Sequence, residues 1–125
     1  MQHTTILITG GTGFLGKRLA LALKDSNRVI LTGRNNKNNQ KTREFTNCEV
    51  APMDVSSIEA VRDGVVEFKP DMIIHAAATK FVDFSEKFPM ECIDVNVLGS
   101  QNVVRVCGVI SRTPRIWVHR WWASR

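Results

Sequence analysis

The chain contains no tyrosine among its 125 residues. Any reaction in which a phenol must hold or pass a proton is therefore beyond these residues alone. Cysteine is scarce. Cys48, Cys92 and Cys107 are far apart, odd in number and without CxxC spacing. That pattern disfavours a disulfide framework or a zinc site and fits the reduced thiols of a cytoplasmic protein. No metal site is expected. No apolar run approaches the roughly 20 residues needed to span a bilayer, so no membrane partner is expected either. Met1 to Thr4 run straight into an apolar segment, and the reading expects neither a signal nor a transit peptide. Acid is missing from the last stretch. After Ser111 come Arg112, Arg115, Arg120 and Arg125 with no Asp or Glu, together with all three tryptophans, Trp117, Trp121 and Trp122. Removing those four arginines takes the formal charge from +5 to +1. The basic balance is thus a local property and does not read as a nucleic-acid surface.

What is present is ordinary in bulk and specific in one place. A hydrophobic fraction of 43% and a charged fraction of 23% describe a globular domain with a real core. The specific stretch is Thr9-Gly10-Gly11-Thr12-Gly13-Phe14-Leu15-Gly16, directly after the apolar run Thr5-Ile6-Leu7-Ile8. It fits both Gly10-x-x-Gly13-x-x-Gly16 and Gly11-x-Gly13-x-x-Gly16. The glycines have separable jobs: a tight turn, close approach of backbone to a diphosphate, and close packing of the following helix. The helix start then offers unpaired N–H groups and a partial positive charge. Such a motif is weak alone. Its place between a strand and a helix, at the start of an α/β pattern, makes dinucleotide binding the favoured reading over a merely structural turn.

Along the chain, residues 4–9 read as a buried strand and 14–26 as a helix with Leu15, Leu19, Leu21, Ala22 and Leu23 on its apolar face. Residues 28–32 read as a second strand and 33–40 as a polar loop. A third strand is expected over 48–53, ending at Asp54. Ser56 or Ser57 caps a helix to Phe68, which Pro70 ends. Residues 71–75 read as a fourth strand, 89–107 as a long helix, and 114–119 as a candidate fifth strand. Alternating strands and helices imply βαβ units and a doubly wound parallel sheet of four to five strands, in the order 3-2-1-4.

At this point the residues resemble the extended short-chain dehydrogenase/reductase superfamily. They are most similar to its CapD-like, polysaccharide-biosynthesis branch of NAD(P)-dependent nucleotide-sugar 4,6-dehydratases and epimerases. The resemblance rests on the glycine loop, Met53-Asp54-Val55, His75-Ala76-Ala77-Ala78-Thr79-Lys80, and the run Pro89 to Val103 with its Asn96-x-x-Gly99-x-x-Asn102 spacing. It covers about residues 4–107. It implies an incomplete Rossmann fold, with a dinucleotide-binding part at 1–107 and an atypical segment at 108–125, and a UDP-sugar as substrate of the full-length family. In that family a hydride leaves C4 of the sugar for the nicotinamide, water is eliminated across C5–C6, and the hydride returns. A Tyr-x-x-x-Lys motif supplies acid–base chemistry. Without tyrosine this chain cannot carry that motif, so no catalytic residue is assigned. The expectation is a truncated or frameshifted product, inactive alone. The reading from another class is a non-enzymatic NAD(P)-binding sensor or interaction module.

The expected cofactor-binding residues follow. Gly10, Thr12, Gly13, Phe14, Leu15 and Gly16 form the diphosphate turn, acting chiefly through backbone N–H groups. Arg34 stands where an NAD-selective site would place an acid, and suits a 2′-phosphate, so NADP is preferred over NAD. Lys37 is an even choice between assisting and being solvated. Asp54 resembles the residue that meets the adenine amine, with Val55 beside the ring. Ala76, Ala77 and Ala78 are small where backbone passes the ribose and nicotinamide. Lys80 and Asn96 resemble cofactor-lining residues of the branch. His75 is read as completing its strand. A partial sheet also leaves an unpaired edge and exposed apolar surface, which predicts poor solubility or self-association as a homo-oligomer.

Overall fold

In the computed structural model, residues 3–77, 86–109 and 114–118 are described. Five strands, β1 (Thr5–Thr9), β2 (Arg28–Gly33), β3 (Glu49–Pro52), β4 (Met72–His75) and β5 (Arg115–Val118), form one sheet in the order β3-β2-β1-β4-β5. All four pairings are parallel. The order expected for the first four strands is the observed one, and the fifth joins beside β4.

Parallel strands must be covered on both faces, so their residues are apolar in both directions. Leu7, Ile30 and Ile73 point to one side, where they meet Val61 and Val65 of α3 (Ile58–Phe68) and Val103, Val106 and Cys107 of α5 (Gly99–Val109). Ile6, Ile8, Leu31 and Ile74 point to the other, against Ala20 and Leu19 of α1 (Phe14–Leu23). Each fully buried aliphatic side chain stabilises the fold by roughly 1.5–3 kcal/mol. The Arg28–Glu49 ion pair, with both side chains about half exposed, adds little.

The helix ends follow local chemistry. Helix α1 stops at Leu23, three residues before the expected end, because Asn27 Nδ2 turns back to donate to the Leu23 carbonyl. Ser57 caps α3, its hydroxyl accepting from Ala60 N at 3.3 Å. Lys69 closes that helix in the left-handed region.

The expected polar loop at 33–40 is a correction. Helix α2 (Asn36–Thr46) starts within it. Asn35 Oδ1 accepts from Lys37 N and Asn38 N at 3.0 and 3.1 Å, and Asn47 ends the helix at φ 57. Its buried face is Asn39, Thr42 and Thr46. That face has helical spacing but no apolar residue, so hydrophobic periodicity cannot register it. The long helix expected over 89–107 is three contiguous pieces: α4 (Pro89–Ile93), a π-helical turn (Asp94–Leu98) and α5.

Candidate functional site

Strand β1 is hydrogen-bonded to β2 on one side and β4 on the other. The chain winds outward from β1 through β2 to β3, then reverses to β4 and β5. A crevice opens at the carboxyl ends of strands where winding reverses. Here that crevice is a half-open cleft of about 200 Å³. Its lining includes Gly10, Thr12, Gly13, Phe14, Leu15 and Gly16 from the turn after β1, Gly33 and Arg34 after β2, Met53 and Val55 after β3, and Ala76 and Ala77 after β4. Val95 of the π turn completes it. Small-molecule sites commonly reach ~300–1,000 Å³. A dinucleotide here would therefore extend beyond the walls these residues provide.

The turn after β1 is built around backbone approach. Gly10 has φ +65, and a Cβ there would lie 2.6 Å from the Ala77 backbone. Gly11 N donates to Thr32 O at 2.9 Å and Gly13 N to Gly10 O at 3.1 Å, which fix the turn against β2 and on itself. Gly13 is the N-cap of α1 and makes no side-chain cap bond. The first N–H groups of a helix have no intrahelical acceptor. The first turn of α1 also carries no acid. The positive end of α1 thus faces the cleft unneutralised. Above it the Arg18 guanidinium stacks on the exposed Phe14 ring, 3.6 Å from the centroid. Arg34, exposed directly after β2, adds a cationic residue to the lining.

Ten of the fourteen residues expected at the site therefore share one cleft: Gly10, Thr12, Gly13, Phe14, Leu15, Gly16, Arg34, Val55, Ala76 and Ala77. Asp54 does not line it. Its Oδ1 accepts from Ser56 N at 3.0 Å and from the Ser56 hydroxyl at 2.7 Å, which folds the segment into a turn beside Val55. Asn96 lies one residue beyond the lining Val95, with Nδ2 3.2 Å from Cys92 Sγ. Ala78 and Lys80 lie outside the described residues.

Sequence reasoning missed the residues that hold the walls in place. Asn102 Nδ2 donates to the Val55 carbonyl at 2.9 Å, tying α5 to the loop after β3. Gly99 lets α5 come that close, since a Cβ there would sit 2.6 Å from Val55 Cγ2. His75 is 2% exposed. Its Nδ1 is 2.7 Å from Thr9 Oγ1 and its Nε2 is 3.0 Å from Ser100 Oγ. Burial pushes its pKa from 6.5 down to about 4, so the ring is neutral at pH 7. The spacing Asn96-x-x-Gly99-x-x-Asn102 was the available signal, because it puts a contact residue and a small residue on the same helix. No helix among the described residues is long and apolar enough to cross a membrane. No group of three or more His, Cys, Asp or Glu among them could hold a metal ion.

A doubly wound parallel sheet, with a glycine turn feeding an uncapped helix at its switch point, defines the nucleotide-binding α/β class built on the Rossmann plan. The sequence profile of the NAD dependent epimerase/dehydratase family matches residues 6–116, and the chain belongs to that family. It is 38% identical over 109 residues to the UDP-N-acetylglucosamine 4,6-dehydratase (inverting) of Campylobacter jejuni, an alignment covering 82% of this chain and 32% of that enzyme. It is 31% identical over 113 residues to the capsular polysaccharide biosynthesis protein CapD of Staphylococcus aureus, covering 82% of this chain and 19% of that one. Among solved structures it resembles Pen from Bacillus thuringiensis, with TM-score 0.75 and 28% identity over 85% of this chain and 34% of that one. The chain thus spans about a third or less of these relatives. The extended, CapD-like kinship read from the motifs holds.

Proposed function

We propose that this chain is the NADP-binding part of a nucleotide-sugar 4,6-dehydratase or epimerase of polysaccharide biosynthesis, with a UDP-linked sugar as substrate of the whole enzyme. One observation carries the reading. The uncapped start of α1 and Arg34 line one cleft that the close Gly10–Ala77 contact borders. The cradle fits the group. The N–H groups of Phe14 to Gly16 would hold the diphosphate, and Val55 the adenine face with Asp54 beside it. Ala76 and Ala77, continuing to Ala78 and Lys80, would border the ribose and nicotinamide, with Asn96 behind Val95. When bound, the nicotinamide supplies the acceptor and donor of hydride.

Arg34 sets the preference for a 2′-phosphate, because a guanidinium pairs with it bidentately while an acid there would repel it. Residues 1–107 are the binding unit in this reading, and 108–125 an atypical basic segment from which β5 is drawn. The proteins named above as dehydratase and CapD are the basis for the sugar-nucleotide substrate. The absence of tyrosine is the basis for expecting no turnover by this chain alone.

Fluorescence titration with NADPH and NADH tests the proposal. NADPH is expected to bind more tightly, and Arg34→Ala is expected to remove at least about tenfold of that difference, the worth of one charge-assisted contact. Tighter NADH binding, or an unchanged ratio in the variant, overturns the NADP assignment. A second reading, a non-enzymatic NAD(P)-binding sensor, is favoured by that same lack of tyrosine. It predicts full-affinity nucleotide binding with no requirement for any additional polypeptide.

A further inference from the structure

His75 sits beneath the cleft and is not among its lining residues. One arrangement of protons satisfies all of its contacts at once. The Ser100 hydroxyl donates to the Asn96 carbonyl at 3.0 Å, so toward His75 it has only lone pairs to offer. In that arrangement His75 Nε2 carries the ring proton and Nδ1 accepts. Thr9 Oγ1, at 2.7 Å from Nδ1, therefore donates its own hydrogen. That leaves the Thr9 oxygen to accept from Ala77 N–H at 3.4 Å. The chain runs in one direction: Ala77 N–H to Thr9, Thr9 to His75, His75 to Ser100, Ser100 to Asn96. Its two ends are the two walls of the cleft. Ala77 is the residue packed on Gly10, and Asn96 belongs to the π turn that places Val95 in the lining.

We propose that His75 is a positioning residue whose neutral Nε2–H form links the Ala76–Ala77 wall to the π turn at Asn96 through Thr9 and Ser100, and so fixes the cleft for the dinucleotide. The π turn gives this link a purpose. A helix that carries one extra residue per turn is strained and needs a local reason. Here Gly99 N–H reaches Asp94 O across five residues, while the Ser100 hydroxyl takes the Asn96 carbonyl. Ser100 therefore bonds at once to the irregular turn and to the sheet. Removing it breaks the hydrogen-bonded link between the π turn and β4 and replaces no residue that lines the cleft. A ring that merely filled space would require neither a fixed tautomer nor coupling between Thr9 and Ser100.

The inference rests on the dinucleotide reading, and the experiment separates the two. Nitrogen-15 NMR of the free protein at pH 7 is expected to show His75 neutral, protonated at Nε2, with that proton protected from exchange. Ser100→Ala is expected to expose the proton and to weaken NADPH binding about tenfold, the value of one hydrogen bond to the site. Ser100→Thr, which keeps the hydroxyl, is expected to restore both. Thr9→Val combined with Ser100→Ala is expected to lose no more affinity than the worse single variant, because both act through one ring. An Nδ1–H tautomer, or Ser100→Ala binding NADPH as the wild type does, overturns the proposal while leaving the dinucleotide reading intact. If the wild type binds neither NADPH nor NADH, the functional reading falls and the positioning role with it. The NMR result still decides whether the hydrogen-bond chain exists.

Discussion

Acidification should destabilise this protein through one imidazole, and the effect can be worked out from its surroundings. His75 has its pKa lowered from 6.5 to about 4 by burial. In the unfolded chain the ring takes up a proton near pH 6.5; in the folded protein it resists until about pH 4. The unfolded state therefore binds more protons across that window, and stability falls as the pH drops through it. Above the unfolded value the contribution is fully present; below the folded value it is gone. At about 1.4 kcal/mol per unit, the loss totals roughly 3 kcal/mol, a large share of the ~5–15 kcal/mol typical of a domain. Urea denaturation followed by circular dichroism, between pH 8 and pH 4.5, measures it. Carboxylates titrate in the lower part of the same range, so the comparison is with His75→Leu. That variant should be less stable at pH 8, because Thr9 and Ser100 lose their partner at about 1–3 kcal/mol each. Its stability should nevertheless fall less steeply from pH 6.5 to pH 5. Parallel curves for the two proteins would refute the reasoning.

Two further outcomes are expected. Gly10→Ala places a Cβ 2.6 Å from Ala77 backbone at φ +65; it should cost about 1–3 kcal/mol in thermal or urea melts and abolish NADPH binding. Met90, Ile93, Val97 and Val104 leave apolar side chains exposed on one stretch of helix, so light scattering should show self-association that Val97→Glu reduces; a wild-type monomer at high concentration would count against it.

Much of the architecture was legible because its signals are local. Thr5 to Thr9 and Met72 to His75 are short apolar runs bounded by turn residues, and Ser57 announces a helix start three residues before Ala60, whose N–H donates to its hydroxyl. Helix α2 was not legible, since Asn39, Thr42 and Thr46 bury a face that hydropathy reads as loop. The cleft divides in the same way. Its glycine turn is continuous in sequence and carries its own conformational demands. The braces behind it, Thr9 to His75 and Val55 to Asn102, join residues 66 and 47 positions apart through single polar atoms. Such pairings leave no periodic trace in the chain. The π turn is equally silent, because a Ser-for-backbone competition looks like any other helical serine until its acceptor is known.

The position of β1 has a consequence for how the molecule is made. Strand β1 precedes both of its neighbours in the chain, and the later of them, β4, ends at His75, paired with Thr9. During translation the growing end of the chain must travel that whole distance before β1 is enclosed. Until then this hydrophobic stretch has one flank open to whatever else is nearby. A nucleotide that needs Ala77 behind Gly10 can bind only after this closure, so its capture would mark the moment the nascent sheet is committed.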